Sequence, residues 1–573
     1  MAGPGTASLR SCSPCTLCIE LMILVLLALN SDARILETFR AKLVVLNAPR
    51  HGRQLVGDVS YHARTRSSTG ELVLYSLVFG PDAFKPGPEL KTGVLVQLTV
   101  DLDLSGIVPD AANQGAAFAG VPGTLYVTSW VEESYGGTTD PLNPVSNVYY
   151  TGSKPLLLSA AVWVVNEVCG TRVERALTVE DVSAVLFGPP AGAALRSPGL
   201  PDQHFPLLGL NRLLYECSYG NFILKRSSTV VLSLALPCSG ARPNGASWSS
   251  SPGSEGVTGA CGNNELWGWM EYAVSITRQV RDIDTSQFRR RVLVLPPVGG
   301  SGGSLCPSWQ QRGSYGCDED HGCDIWIRGE RDHLLQWLVA QIGASMLLQP
   351  ATSSANPSGL NPLVNSGQPT DPSCALGAAE GTYQCFNGPN AFKLLLSNPW
   401  VQIDSKSGLG VGDTKVVTLP PAALSADHLL LVLLNRKTPS SAAPHPLYVQ
   451  YREPVGGDAG LPATTAGRLV LHSVNTTTTP VGLTGAPPTV FLAAMGVGQS
   501  YRYQPANVLI RFTHRTFPVA EDVGGVTGGS ATVAVCRYQG FSETGGECED
   551  GLDNDCDGLV DVDDPDCQVV DEV

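Results

Sequence analysis

The chain has 573 residues, which is too many for one ordinary hydrophobic core and indicates three or four modules. Its residues are 43% apolar and 16% charged, with 62 Gly and 42 Pro, which excludes a mainly disordered protein and favours a turn-rich, strand-rich one. The net charge is −15, but 13 acidic and no basic residues follow Arg537, so the preceding chain is close to neutral. The sequence contains no basic region of the kind that would indicate a nucleic-acid partner.

The first 33 residues are predicted to form a secretory signal peptide. Arg10 gives a weakly basic start, residues 19–29 are apolar except for Glu20, and Ser31-Asp-Ala33 supplies small residues for cleavage. This apolar stretch is shorter than the roughly 20 residues that a membrane-spanning helix needs, which favours secretion over anchoring.

The cysteines indicate an oxidising compartment. Thirteen of the 16 lie beyond the predicted signal peptide, which predicts several disulfides. We expect the close pairs Cys317/Cys323 and Cys374/Cys385 each to staple a loop. The odd total leaves one thiol free or in an intermolecular bond. A glycosylation sequon at Asn475 fits the same secreted location.

Residues 34–153 are predicted to form a β-rich module. Apolar or alternating runs between Gly and Pro predict strands at 41–46, 71–79, 94–100 and 124–131. No cysteine occurs in this module.

Strands and helices alternate from about 154 to 400, which predicts an α/β core. The predicted elements are strands at 156–168, 229–236 and 291–295, an edge strand at 324–328, and helices at 178–187, 205–219, 265–280 and 331–348. An edge strand would accept an extended polypeptide by strand addition. Residues 350–372, rich in Ser, Asn, Pro and Gly, are expected to form a long loop.

From 401 to 535 the pattern returns to short strands with turn signals between them. Strands are predicted at 415–419, 429–434, 447–451, 467–472, 507–512 and 531–535. Their regular spacing predicts a β-sandwich-like accessory domain. Residues 536–573 form a separate small tail rich in Cys and Asp.

The tail has the spacing of an EF-hand-type calcium loop, in which oxygen ligands come from positions 1, 3, 5, 7, 9 and 12. The predicted ligands are the side chains of Asp553, Asp555, Asp557, Asp561 and Asp564 and the carbonyl group of Leu559. Asp instead of Glu at the last position predicts weak binding, roughly 10⁻⁴–10⁻³ M. Cys548, Cys556 and Cys567 indicate a stapled knot without flanking helices, similar to an Asp/Cys-rich metal-binding repeat. The alternative is a solvated acidic tail.

The helix predicted at 331–348 carries the positions of a zinc-protease motif without its ligands. In the motif HExxHxxGxxH, two His one helical turn apart and a third His beyond a Gly bend bind Zn²⁺, and the Glu is the general base. In this register the ligand and base positions are Ala340, Gln341, Ala344 and Pro350, and Leu347 stands at the Gly bend. Neither Ala nor Pro has a side-chain donor atom, and Gln is not a base.

Flanking segments support this register. They are Cys261–Glu271, Phe288–Pro297, Gly322–Gly329, Ser373–Gly377, Cys385–Pro389 and Tyr451–Pro462. In this order they resemble the gametolysin (autolysin) family of secreted zinc metallopeptidases of volvocine green algae. The resemblance spans roughly residues 155–475.

The resemblance implies a metzincin-like α/β core at 154–400, preceded by a propeptide-like module and followed by the β-rich domain. The overall fold class is therefore expected to be multidomain α/β plus all-β. It also implies a Met-turn beneath the metal, where Leu376 stands in place of the Met. Zn²⁺ is expected for the family, but the replaced ligands predict that this chain does not bind it.

Three hypotheses follow. The first is a secreted pseudoprotease that binds extracellular-matrix or cell-wall glycoproteins, for which we predict an extracellular location. The second is an active zinc metalloendopeptidase that degrades hydroxyproline-rich wall glycoproteins through other ligands, such as His321 or His333. His333 lies seven residues before Ala340, about 10 Å along a helix, which is too far for a bond of about 2 Å. The third is that the degenerate motif reflects an incorrect gene prediction or alignment.

Overall fold

The computed structural model describes residues 36–47, 60–66, 72–80, 92, 94–101, 105–106, 121–134, 155–189, 208–251, 262–297, 305–306, 310–318, 321–354, 370–378, 383–404, 406, 408–434, 446–474, 489–520 and 526–568. The predicted signal peptide and the sequon at Asn475 lie outside these ranges. In this part of the chain, no helix combines the length and the apolar character that a membrane crossing requires.

The N-terminal strands close into a small barrel. They are β1 (Leu36–Asn47), β2 (Ser60–Arg66), β3 (Leu72–Phe79), β4 (Leu95–Asp101), β5 (Ser105–Gly106), β6 (Val121–Pro122) and β7 (Thr124–Ser134). The order β1–β2–β3–β7–β4 returns to β1, because β1 pairs with both β2 and β4. Alternate side chains such as Leu43, Val96 and Leu125 are buried inside it, as the two-residue period of a strand requires.

The central segment contains a mostly parallel sheet with helices. Its elements are β8 (Leu156–Val168), β9 (Thr171–Arg172), α1 (Val179–Phe187), α2 (Leu210–Cys217), β10 (Phe222–Leu236), β11 (Ser239–Ala241), β12 (Ser247–Ser249), α3 (Asn263–Arg281), β13 (Arg290–Leu295), β14 (Gln311–Ser314), β15 (Cys323–Arg328) and α4 (Leu334–Ser345). The strand order is β10–β8–β13–β15–β14. The first four strands run parallel, and β14 runs antiparallel to β15.

The predicted fold class is wrong. The central strands do not form a separate metzincin-like α/β core, because β14 pairs with β1 at Ser314↔Leu46 and Gly313↔Asn47. The barrel and the central strands therefore share one 11-stranded sheet. Among the described residues, 25 strands accompany five α-helices. The described chain is thus mostly β, with a barrel and several sheets.

The strand predicted as an edge at 324–328 is internal. It forms β15, which pairs with β13 on one side and with β14 on the other, and all six of its residues are buried. The last strand of the central segment in the sheet order is β14, and its second edge pairs with β1 at two residues. Strand addition at 324–328 is therefore excluded in this structure.

The C-terminal part contains two further sheets. Its elements are β16 (Ala351–Ser353), α5 (Gly388–Lys393), β17 (Asn398–Asp404), β18 (Thr414–Leu419), β19 (Asp427–Leu433), β20 (Leu447–Arg452), β21 (Arg468–Val474), β22 (Thr489–Met495), β23 (Ser500–Tyr503), β24 (Val508–Ala520) and β25 (Val526–Arg537). One sheet has the order β16–β22–β21–β20–β19–β17 and the other β18–β25–β24–β23. They share one core, which contains Leu430 and Leu471 from the first sheet and Phe512 and Val533 from the second.

The prediction of disulfides is confirmed. The described pairs are Cys169–Cys238, Cys217–Cys385, Cys317–Cys323, Cys536–Cys556 and Cys548–Cys567. The expected Cys317/Cys323 staple is among them. The expected Cys374/Cys385 pair is wrong, because Cys385 bonds to Cys217 and Cys374 is a buried free thiol.

Candidate functional site

The helix with the motif positions, α4, is buried on nearly every side. Eleven of its 12 residues are buried, as expected for a core helix that is apolar all round. The carbonyl of Glu330 accepts hydrogen bonds from the amides of His333 and Leu334 at 3.1 and 2.9 Å, which orders the start of the helix. Burial and backbone hydrogen bonds thus hold the helix in place.

The end of α4 has the hydrogen bonds of a Schellman motif, with Leu347 where Gly is usual. The amide of Leu348 donates to the carbonyl of Gly343 at 3.1 Å, and that of Leu347 donates to Ala344 at 3.0 Å. Leu347 has a φ of +68°, in the left-handed region that disfavours a Cβ atom. The backbone therefore makes the bend at the position where the zinc motif has its Gly.

The four ligand and base positions present no metal-binding set. Ala340 and Gln341 are buried, and Ala344 and Pro350 are partly buried. Gln341 Oε1 packs so closely on Gly313 of β14 that a Cβ atom there would overlap with it. This oxygen has no hydrogen-bond partner. A neutral amide with an unpaired oxygen stands where the motif has its general base.

Leu376, at the Met-turn position, lies directly against α4. A Cβ atom placed on Gly343 would be 3.1 Å from Leu376 Cδ1 and 2.9 Å from Phe386 Cε1. The absence of a side chain at Gly343 thus allows the turn at 373–377 to pack under the helix. The structure therefore brings together the two segments that the motif register pairs.

These residues do not fit a zinc ion, because no motif position offers a nitrogen, sulfur or carboxylate ligand. The alternative ligands are occupied differently. His333 stacks on Trp337 with ring centroids 5.3 Å apart, and His321 Nδ1 lies 3.4 Å from Asp318. Among the described residues, the only group of three or more His, Cys, Asp or Glu with metal-binding spacing is in the tail.

The N-terminal barrel contacts the central strands at β14, the strand that packs on α4. The amide of Tyr315, directly after β14, donates to the carbonyl of Val45 at 2.8 Å. The buried Asp318 carboxylate lies 3.0 Å from Arg64 Nη1 and 3.4 Å from Lys42 Nζ, both in the barrel. Arg64 Nη2 also lies 3.6 Å from the buried Asp324. Charged groups at this seam are thus paired with one another.

A buried Ser/His/Asp cluster, which the sequence did not reveal, holds the turn at 373–377. Ser373 Oγ donates to Asp371 Oδ1 at 2.6 Å, and His472 Nε2 lies 3.0 Å from Asp371 Oδ2 and 3.1 Å from Ser373 Oγ. Burial raises the pKa of Asp371, but the charge of His472 and three side-chain hydrogen bonds outweigh it and hold this pKa below 3.8.

This cluster does not have the geometry of a hydrolytic triad. In such a triad one ring nitrogen of His contacts Ser and the other contacts Asp. Here both contacts are made by Nε2 of His472, and Nδ1 has no hydrogen-bond partner. All three residues are fully buried. The cluster therefore joins the turn to β21 and lacks the arrangement that activates a serine nucleophile.

A buried ion pair fixes the same turn from a second direction. Arg452 and Asp458 form two parallel hydrogen bonds of 2.7 Å, and Arg452 Nη1 donates to the carbonyl of Ser373 at 3.0 Å. Asp458 also accepts from the amide of Cys385 at 3.0 Å. Burial lowers the pKa of Arg452, but the charge of Asp458 outweighs this and raises it. Both residues lie in the motif segment Tyr451–Pro462, which gave no hint of their role.

Three of the predicted calcium ligands come together in the tail. Ligand atoms of Asp553, Asp555 and Asp557 lie within 4.8 Å of one another. Burial, and then the charge of Asp557 among other contributions, raises the pKa of Asp553 and Asp555 above 3.8. Carboxylates crowded in this way release free energy when a cation binds between them.

The other predicted calcium ligands are placed differently. The carboxylate of Asp561 accepts from the amide of Gly551 at 3.0 and 3.2 Å, outside the group of three. Asp564 is buried and raises the pKa of Asp555 by its charge, and its Oδ2 has no hydrogen-bond partner. Leu559, which is exposed, donates its amide to Asp557 Oδ1 at 2.7 Å. The structure therefore brings Asp553, Asp555 and Asp557 together, whereas Asp561 and Asp564 lie outside this group of three.

Two comparisons with known proteins identify relatives. The sequence profile of gametolysin peptidase M11 matches residues 363–484, which contain the buried cluster and the Arg452–Asp458 pair but not α4. Autolysin from Chlamydomonas reinhardtii is 60% identical over 40 residues, which are 7% of this chain. The match spans 6% of the length of that relative.

Proposed function

From the premise that this chain belongs to the gametolysin family of peptidases, we propose that it is secreted and binds extracellular-matrix or cell-wall glycoproteins without cleaving them. The observation that carries this proposal is the retained helix α4 with no ligand at Ala340 or Ala344 and a neutral amide at Gln341. The five disulfides between described residues support an oxidising, extracellular compartment.

The size of the missing effects supports a non-catalytic role. Zinc lowers the pKa of a bound water from about 15.7 to about 7, and a general base contributes roughly 10²–10⁴-fold. The Ala and Gln side chains at the motif positions supply neither effect. The buried Ser373 and His472 do not replace them, because their geometry is that of a structural contact.

The position of β1 further supports this proposal. In this structure β1 pairs with Gly313 and Ser314 of β14, the strand that contacts Gln341, where an extended substrate would otherwise pair. A glycoprotein partner would therefore contact another part of the surface.

The test is to incubate the secreted full chain with wall glycoproteins and to measure retention and cleavage together. We expect retention without new fragments. Fragments that EDTA suppresses would instead support the alternative, an active zinc metalloendopeptidase acting on hydroxyproline-rich wall glycoproteins. An unrelated chain purified in the same way controls for contaminating protease. Metal analysis after dialysis against trace Zn²⁺ should show no stoichiometric zinc, and one tightly held zinc per chain would overturn the proposal.

We also propose that the tail binds Ca²⁺ through Asp553, Asp555 and Asp557, with Asp564 as a fourth carboxylate. The support is their spacing together with the buried, unpaired Oδ2 of Asp564. Calorimetric titration of the full chain with Ca²⁺ should show binding that the variant Asp553→Ala/Asp557→Ala lacks. Equal heats for both chains would leave only a solvated acidic tail.

A further inference from the structure

The feature that carries a further inference is the exposed side-chain face of β17. Trp400 is 55% exposed, whereas every other described Trp is buried or partly buried. Along β17 the side chains alternate, with Asn398, Trp400 and Gln402 exposed and Ile403 in the core. A large aromatic ring thus stands in solvent between two amide side chains on one face of the sheet.

Hydrogen-bonding pairs flank Trp400 on both sides. Asn398 Nδ2 donates to Asp427 Oδ1 at 2.9 Å, and Gln402 Nε2 donates to Asp404 Oδ2 at 3.1 Å. Since a strand advances about 3.3 Å per residue, each amide lies roughly 6.6 Å from Trp400 along the strand. Each amide keeps a second donor hydrogen for a ligand, because an amide has two and the bond to its carboxylate uses one.

β17 is the outer strand of its sheet, but its edge is poorly suited to strand addition. Among the described strands it pairs only with β19, and the pairing shifts register on both sides of Pro399. Pro399 has no amide hydrogen, and a bulge next to it twists the edge. The exposed side chains of this strand are therefore better suited to bind a ligand than its backbone edge.

We propose that Trp400, with the pairs Asn398–Asp427 and Gln402–Asp404, forms a glycan-binding platform. The C–H groups on one face of a sugar ring would pack on the electron-rich face of the indole, and its hydroxyl groups would exchange hydrogen bonds with the flanking amides and carboxylates. The platform rests on the proposed function, because it specifies the glycan as the part of the glycoprotein that this chain recognises.

The test compares the full chain with Trp400→Ala and with a matched control, Phe517→Ala. Phe517 is 67% exposed on β24, in the other C-terminal sheet, so both substitutions remove one exposed aromatic ring. The probes are a hydroxyproline-rich wall glycoprotein, the same glycoprotein chemically stripped of its glycans, and the oligosaccharides released from it. Equal unfolding midpoints of the three chains establish that both variants are folded.

We expect Trp400→Ala to lower affinity for the intact glycoprotein at least 10-fold, Phe517→Ala less than 2-fold, and the stripped polypeptide not to be retained. Released oligosaccharides should change the tryptophan emission of the wild type but not that of Trp400→Phe. Equal retention of all three chains, or retention of the stripped polypeptide, would overturn the platform while leaving the proposed function intact.

Two outcomes separate the remaining possibilities. Binding that is lost in about 0.5 M salt and competed by polylysine would show that the indole and the Asp side chains hold a cation, which overturns the glycan assignment. If the wild type is not retained on the glycoprotein, the proposed function fails. The platform then fails with it unless the released oligosaccharides still change the emission of Trp400.

Discussion

Leu347 allows a direct test of whether α4 ends in the bend of the zinc motif. Its side chain is fully buried, so truncation to Ala should cost about 2–5 kcal/mol of unfolding free energy. At an ordinary position Gly is less stable than Ala by about 0.5–1 kcal/mol. At a φ of +68° a Cβ atom costs roughly 1–2 kcal/mol, which Gly avoids. We therefore expect Leu347→Gly to be more stable than Leu347→Ala by about 1 kcal/mol.

The neighbouring Leu348 is the matched control. It is equally buried, and its φ is not positive. At this position Ala should be more stable than Gly by about 0.5–1 kcal/mol, so the two positions should rank the variants in opposite order.

Urea unfolding of the full, disulfide-intact chain, followed by tryptophan fluorescence, measures the midpoint and slope for all four variants. Trp337 in α4 is one of the reporters. If Ala is more stable than Gly at both positions, residue 347 is not left-handed. The alignment of Leu347 with the Gly of the motif would then be wrong.

Three further predictions concern the turn at 373–377. In a solvent-exposed helix, Gly343→Ala would raise the free energy of unfolding. Here it should lower that free energy by about 1–3 kcal/mol, because the new methyl group would press on side chains 2.9 and 3.1 Å away. A higher urea midpoint for the variant would contradict this. Asp458→Asn should lower the free energy of unfolding by about 3–5 kcal/mol, because the buried Arg452 guanidinium loses its counter-ion. Arg212→Ala, which removes a surface ion pair, should lower it by less than about 1 kcal/mol. The folded pKa of Asp371 lies below its ordinary 3.8, so its stabilisation is complete above pH 3.8 and is lost as pH falls through the folded value. The free energy of unfolding of Asp371→Asn should therefore fall less steeply below about pH 4 than that of the wild type. An equally steep fall in both proteins would refute this linkage.

Local elements were predictable from the sequence because their signals are local. The strand expected at 156–168 spans those residues, and the helix expected at 331–348 spans 334–345. In both cases a long apolar run or a helical period sets the conformation.

Long-range pairing was not predictable, and it caused the main errors. β14 (Gln311–Ser314) has no alternating apolar pattern, so the sequence does not predict it and instead places the edge of the sheet at 324–328. Its pairing with Leu46 and Asn47 joins distant parts of the chain, and no local signal encodes that contact. The same limit applies to Cys385, whose partner is Cys217 rather than the nearby Cys374.

The candidate site was predictable only as an absence of ligands, and the structure adds how the surrounding turn is held. The turn that would pack beneath a zinc ion is anchored from the C-terminal sheet, by His472 through Asp371 and by Arg452 through the carbonyl of Ser373. Gln336 Nε2 of α4 also donates to the carbonyl of Ala375 at 3.0 Å, but Gln336 is not a zinc-motif position. Ala340 and Ala344 are strong helix formers with no polar group that needs a partner, so α4 also requires no metal. The contacts that position helix and turn therefore do not depend on zinc ligands, which is what the proposed binding role without cleavage requires.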